Sequence, residues 1–198
     1  MEKPAPSSVP IQSMIARRWS ARAVDPDRSI DPQTVQILLE AARWAPSSGN
    51  EQPWRYLVFD GRDPAALEAA RSCLVEGNSW ARRWPLLLLS IAREHFSHKE
   101  KPNRHAQHDV GMASLSLVLQ ATELGLSTHQ MAGYDADRAR ELFAIPEGFT
   151  PMAMIVVGYP GKTEELSAPL QEREMAPRAR KPIERWAFAG KWEKPYAP

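Results

Sequence analysis

Arg17-Arg18-Trp19-Ser20-Ala21-Arg22 places guanidinium groups on both sides of a hydroxyl residue. Arginine offers a planar fork of donors and serine adds another, so Arg18, Ser20 and Arg22 suit a phosphate or similar anion. A solvated basic helix end has the same composition. Pro46-Ser47-Ser48-Gly49-Asn50-Glu51-Gln52-Pro53-Trp54 is bounded by prolines and sets neutral donors and acceptors at close spacing. Pro46, Ser47, Ser48, Asn50 and Gln52 fit the polar edge of a heterocycle, although turns use the same residues. In Gly125-Leu126-Ser127-Thr128-His129-Gln130-Met131-Ala132-Gly133-Tyr134, the small Ala132 and Gly133 leave backbone N–H groups open to close approach, beside Gln130 and Met131. A glycine-containing helix-to-strand connection reads the same way. Arg178-Ala179-Arg180-Lys181-Pro182 is a second cationic cluster far along the chain, equally compatible with a solvated tail or a weak nucleic-acid patch.

Histidines supply a competing chemistry. His95-x-x-His98 and His105-x-x-His108 lie in one polar stretch followed by Asp109, and imidazole is a common zinc ligand. Lys99, Lys101, Pro102 and Arg104 surround them. That setting is cationic and helix-breaking, so a solvated loop or pocket lid is the preferred reading over a metal site. There is no nucleophilic triad or catalytic carboxylate pair, and no G-x-G-x-x-G for a Rossmann nicotinamide site. Cys73 reads as a small packing residue on a helix.

The elements that must position these groups follow from caps and periodicity. Ile11, Met14, Ile15 and Arg18 have helical spacing and end near the arginines. Asp31-Pro32 is an N-cap with proline in the first turn, and Val35, Leu38, Leu39, Ala42 and Trp44 continue that helix until Pro46 stops it. Ala45 to Asn50 is a loop and Tyr56 to Phe59 a short strand. Asp63-Pro64 repeats the cap before Leu67, Ala70 and Leu74. Leu86 to Ala92 does not alternate, which predicts a strand buried on both faces. Asp109 to Leu124 is apolar nearly all round, a helix for the centre of the fold, stopped by Gly125. Asp135 caps a short helix through Ala139, Leu142 and Phe143, and Met152 to Val157 is another buried strand.

The bulk numbers bound the class. With 198 residues, 43% hydrophobic and 25% charged, the chain suits one soluble globular domain over residues 1–198. A net charge of +1 recruits neither nucleic acid nor membrane, so any anion site is local. The run Leu86 to Ala92 is too short to span a bilayer, which takes about 20 apolar residues. Met1 to Pro10 is polar and proline-rich, predicting a flexible N-terminus without a signal peptide. The single cysteine fits a reducing, cytoplasmic setting. The tail over 167–198 is basic and proline-rich yet carries Trp186, Phe188, Trp192 and Tyr196. Such aromatics need a surface, and a partner subunit offers one. Helices and strands interleave without a βαβ rhythm, favouring α+β over a doubly wound sheet.

Taken in order, these segments resemble the FMN-dependent nitroreductase family. The resemblance rests on Arg18-x-Ser20-x-Arg22, Pro46 through Trp54, Asp109-x-Gly111 opening the helix that ends in Gly125-Leu126, and His129 through Asp135. Ile145-Pro146-Glu147-Gly148, Gly158-Tyr159-Pro160-Gly161 and Arg180-Lys181-Pro182 complete it, over about Ile11 to Trp192. It implies an α+β sandwich with a central mixed sheet flanked by helices, a homodimer with an exchanged extended tail, and two FMN sites at the subunit interface. Arg18, Ser20, Arg22, Arg178 and Arg180 would hold the phosphate and ribityl end. Asn50, Ser47 and Ser48 would line the flavin from the other subunit, and Ala132 and Gly133 would set N–H groups near N5 and O4. Trp19 occupies a variable motif position. Glu51 before Gln52 and Val24 in place of an aromatic are mild departures.

What the resemblance implies for chemistry is hydride transfer from NADH or NADPH to flavin N5, then reduction of a nitroaromatic, quinone or related small acceptor by a ping-pong mechanism. Dehydrogenase or dehalogenase chemistry on the same fold, and flavin binding without turnover, are the alternatives.

Overall fold

The computed structural model describes residues 2–98 and 101–196, so Lys99 of the histidine stretch lies outside the described residues. Three helices start by one device. The Asp31 carboxylate accepts from Thr34 N–H at 2.9 Å, Asp63 from Ala66 N–H at 3.0 Å and Asp135 from Arg138 N–H at 2.8 Å. These caps open α2 (Pro32–Arg43), α3 (Pro64–Ser72) and α5 (Ala136–Leu142), each satisfying an N–H that the first turn leaves unpaired. The periodic residues Val35, Leu38 and Ala42 of α2 and Leu67 and Ala70 of α3 are buried. A short α1 spans Ser13–Arg17.

The central helix α4 runs over Ala106–Glu123, beginning before Asp109, and Gly125 (φ 72°) closes it in the left-handed conformation that glycine adopts without strain. Val110, Ala113, Leu117, Val118 and Ala121 are buried, but Leu115 is 49% exposed. The all-round apolar pattern is therefore only partly used within one chain.

Four strands, β1 (Trp54–Phe59), β2 (Leu86–Arg93), β3 (Ser127–Met131) and β4 (Phe149–Gly158), form one sheet in the order β1-β2-β4-β3. The family resemblance implies a mixed sheet. All three strand pairings are antiparallel, and the parallel component is the isolated bridge between Ser20 and Thr128. Strand β3 extends what reads locally as a helix-to-strand connection.

Helices cover both faces of the sheet. Leu86, Leu88, Ile155 and Val157 pack against α2 and α4, while Leu87, Leu89, Met154 and Val156 pack against α3, α5 and Trp84. That double cover is why Leu86–Ala92 is apolar on both faces but for Ser90, whose hydroxyl donates to the Ala153 carbonyl at 3.1 Å. Each fully buried leucine there is worth roughly 1.5–3 kcal/mol relative to exposure.

The segment after Ser167, which the resemblance makes an extended tail, is not extended throughout. Residues Ala168–Met175 form helix α6, and a bridge joins Phe188 to Pro195 further on. The N-terminal segment, which its sequence marks as flexible, lies against α1, with Ala5 N–H donating to Ala16 C=O at 2.8 Å. No helix among the described residues is long and apolar enough to cross a membrane.

Candidate anion and cofactor site

At the C-terminal end of α1 the chain leaves the helix and runs beside β3, pairing Ser20 with Thr128. Arg178 and Arg180, about 160 residues further along the chain, lie near enough to repel the Arg18 charge. Burial, and then repulsion from Arg178 and Arg180, holds the Arg18 guanidinium below the ordinary arginine value. Arg178 is lowered likewise, by burial and by Arg180. Among the described residues none of the three forms an ion pair. Arg178 is held in place by the carbonyls of Lys3 (2.7 Å) and Ala16 (2.6 Å). Neighbouring guanidiniums without an ion-pair partner are a donor set that suits an anion.

Beside Arg18 lies a cavity of about 240 Å³, whose lining includes Glu2, Lys3, Arg17, Arg18, Trp19 and Ser127. Lys3 Nζ sits 4.8 Å above the Trp19 ring, which gives this variable motif position a packing role. The Ser20 hydroxyl bonds to no other group among the described residues, and the residue is exposed.

Arg22 behaves differently from Arg18. Its guanidinium lies 3.9 Å from Glu174 and 5.8 Å from the Trp80 ring centre. Trp80 in turn packs on His129 at 4.8 Å. His129 Nδ1 is 3.0 Å from the Ala21 carbonyl, the geometry of an N–H donating to it. Burial, aided by Arg22 and Arg18 and opposed by the Ala21 bond, lowers the His129 imidazole to about 4. It is therefore neutral at physiological pH.

The Ala132–Gly133 segment is held by residues that sequence reasoning did not single out. Gly133 C=O accepts from Asn78 Nδ2 at 2.9 Å and from Val75 N–H at 3.4 Å. The Gly133 N–H donates to no group among the described residues. A Cβ at Gly133 would lie 2.5 Å from Asn78 Nδ2, so a larger residue there displaces the Asn78 amide from its bond to the Gly133 carbonyl. Met131 is buried, whereas Gln130 and Ala132 are exposed.

The proline-bounded loop is built by a buried carboxylate. Asp109, in the first turn of α4, accepts from Ser48 N–H at 3.0 Å. Ser47 Oγ accepts from Gln52 N–H at 3.0 Å, and Gln52 Nε2 donates to Asn50 Oδ1 at 3.1 Å. Gly49, Asn50 and Gln52 all have left-handed backbone (φ 61°, 55° and 51°), which costs energy at the two non-glycine positions. Pro46, Asn50 and Gln52 are exposed. Glu51 points away, its carboxylate accepting from Ser97 N–H at 2.5 Å and lying 3.5 Å from His98.

The structure does not bring all the predicted residues together in one chain. The Pro46–Gln52 loop precedes β1 at one edge of the sheet; Arg18 and Ser20 adjoin β3 at the other. Helix α4 holds both corners, with Asp109 bonded to Ser48 and Glu123 paired with Arg17 at 2.9 Å. Fourteen residues of helix between them amount to about 21 Å.

The histidine stretch contains the bridge His95–Pro102, and His108 bonds to Asp109 at 3.2 Å. Among the described residues no three His, Cys, Asp or Glu side chains gather as a metal-binding group. The larger cavity, about 470 Å³, lies elsewhere, on the outer face of α2 between Ile37, Glu40, Trp44 and Gln120 of α4.

Comparison with known proteins bears on this arrangement. The model of the nitroreductase family matches residues 15–78 and 63–159. A solved structure of an oxidoreductase containing FMN is 35% identical, with a TM-score of 0.89, covering 95% of this chain and 96% of that one. An uncharacterized 15.4 kDa protein of Mycolicibacterium smegmatis is 35% identical over 122 residues, 62% of this chain and 81% of its own. An NADH dehydrogenase of Thermus thermophilus is 28% identical over 161 residues, 65% of this chain and 76% of its own.

Proposed function

The chain belongs to the nitroreductase family, and on that premise we propose that it is an FMN-dependent oxidoreductase. It takes hydride from NADH or NADPH and reduces a nitroaromatic, quinone or related small acceptor.

The observation that carries this reading is that Arg178 is fastened to the carbonyls of Lys3 and Ala16 beside Arg18, with Arg180 following, and that none of the three has an ion-pair partner among the described residues. A phosphate monoester brings a charge of about −1.5 to −2 and three acceptor oxygens, which matches that donor set. The free Ser20 hydroxyl adds a donor at the same place. FMN, when bound, supplies the redox chemistry: acceptance of hydride at N5 and release of electrons to the acceptor.

The protein's own residues bind and orient. Arg18, Arg178 and Arg180 hold the phosphate, with Ser20 and Arg22 alongside. Asn78 and Val75 fix the Gly133 carbonyl, which leaves the Gly133 N–H as a preorganised donor toward developing negative charge. Ser47, Ser48 and Asn50 offer neutral polar groups, and Pro46 and Gln52 frame them. No side chain needs to act as nucleophile or general acid. Donor and acceptor taking turns at one site makes the kinetics ping-pong.

The site belongs to a homodimer. Loop and arginines sit at opposite corners of one chain, so a second copy supplies the loop. Ile15 on α1, Ile37 on α2 and Leu115 on α4 are exposed, as are Ile11, Trp44 and Leu124 next to the ends of these helices, apolar surface suited to a self-complementary interface. Trp186, Trp192 and Tyr196 of the tail are also exposed and pack on the partner. The free, buried Cys73 suits a cytoplasmic setting.

An absorption spectrum of purified protein, followed by anaerobic addition of NADH and then NADPH, tests the reading. Flavin bands that bleach with a nicotinamide and return with a quinone or nitroaromatic are expected. Protein that is colourless and takes up no added FMN would refute it.

A further inference from the structure

Glu174, on α6, is the most buried carboxylate of the described chain, 1% exposed. An isolated carboxylate at such a depth costs several kcal/mol unless its lone pairs are satisfied. Here they are satisfied by backbone. Its oxygens accept from Arg22 N–H at 3.0 Å and Ala23 N–H at 3.1 Å, with Arg22 Nη1 at 3.9 Å. The Glu174 carbonyl also accepts from Lys3 Nζ. Four residues on, Arg178 is fastened to the carbonyls of Lys3 and Ala16. The chain from Glu174 to Arg180 is thus pinned at two points, by Glu174 to the Arg22–Ala23 backbone and by Arg178 to the carbonyls of Lys3 and Ala16, and Arg178 and Arg180 arrive next to Arg18.

We propose that Glu174 is a positioning residue of the phosphate site, docking α6 on the Arg22–Ala23 backbone so that the tail arginines meet Arg18. This rests on the reading of that site as the FMN phosphate site. The physical need is clear from the charges. Three guanidiniums repel one another before any anion binds, and tail docking must overcome that repulsion. A buried carboxylate on the same helix supplies the offsetting contacts without occupying the phosphate position, because it bonds to backbone N–H groups and not to the three phosphate cations.

The test exploits the phosphate. FMN and riboflavin differ only in that group, so damage confined to the cation cluster weakens FMN and spares riboflavin, whereas general damage weakens both. Glu174→Gln turns one acceptor into an NH₂ donor facing backbone N–H groups. Flavin fluorescence titration of the full-length apo-protein should show the ratio of riboflavin to FMN dissociation constants falling about tenfold or more, with riboflavin affinity little changed. A ratio equal to wild type, including one in which both affinities fall in parallel, would overturn the proposal. If Glu174→Gln is not obtained folded, Glu174→Asp keeps the charge on a shorter arm; a fallen ratio then supports the proposal and an unchanged one overturns it. Wild-type protein that binds both flavins equally would instead overturn the phosphate-site reading beneath it.

Discussion

Acidification should destabilise this protein through His129 by an amount that can be worked out. The imidazole is lowered from an ordinary 6.5 to about 4, first by burial, with Arg22 and Arg18 adding repulsion and the Ala21 carbonyl opposing. A base whose folded pKa lies below its unfolded value is stabilised as the neutral form. That stabilisation is whole above about pH 6.5 and is lost as pH falls toward about 4, because only the unfolded chain then takes up the proton. The gap of roughly 2.5 units corresponds to a ceiling of about 3.4 kcal/mol. Between about pH 7.5 and about pH 5.0 the expected loss is about 2 kcal/mol. Urea denaturation of the apo-protein at both pH values, at one fixed protein concentration because association adds to stability, measures it. Other groups titrate in the same interval, so the comparison is with His129→Gln, which cannot protonate. The loss of the Trp80 contact in that variant is the same at both pH values and cancels. Wild type should lose about 2 kcal/mol more than the variant. Equal losses, or a smaller loss in wild type, would refute the assignment of His129 as a buried neutral imidazole.

Two further outcomes follow from packing and from the tail. Gly133→Ala places a Cβ 2.5 Å from Asn78 Nδ2 and 3.1 Å from Val75 Cγ2, which displaces Asn78 from the Gly133 carbonyl and should cost about 0.5–1.5 kcal/mol, the worth of that hydrogen bond. With Asn78→Ala already in place it should cost less in thermal unfolding; a single variant as stable as wild type would contradict the close approach. Deleting residues after Pro182 removes Trp186, Phe188, Trp192 and Tyr196 but leaves Arg178 and Arg180. The truncated chain should sediment as a monomer, and an unchanged dimer would eliminate the tail exchange. A cut after Pro177 would confuse the two roles, since it also takes the phosphate cations.

Much of the local architecture is legible in the sequence because its causes are local. Asp31-Pro32, Asp63-Pro64 and Asp135 cap helices through bonds to residues three positions on, and the structure has all three. The non-alternating apolar run from Leu86 to Ala92, interrupted only by Ser90, announces a strand covered on both faces. Arg18 and Arg180 stand out in the sequence as charges within motifs.

The residues that escape sequence reading are those whose partners lie far away. Glu174 sits in a polar stretch without a motif, and nothing nearby says that its carboxylate reaches the backbone of Arg22, 152 residues earlier. Asn78 and Trp80 fall in a 3₁₀ segment, Glu76–Arg83, whose role depends on the approach of Gly133 and His129 from another edge of the fold. Asp109 reads as an N-terminal helix residue, but its bond to Ser48 shapes the loop. Strand β3 is hidden because Ser127–Met131 lacks apolar alternation; its hydrogen bonds to β4 define it.

Residue types and spacing by themselves determined the capped helices, the buried strand and the cations available for an anion, since each depends on neighbours within a few positions. Tertiary structure alone decided the antiparallel order of the sheet, the Glu174 anchor and the neutral state of His129. It also decided that loop and arginines occupy opposite corners of one chain. Burial, desolvation and charge repulsion act between groups brought together by the fold, and no local pattern records that meeting.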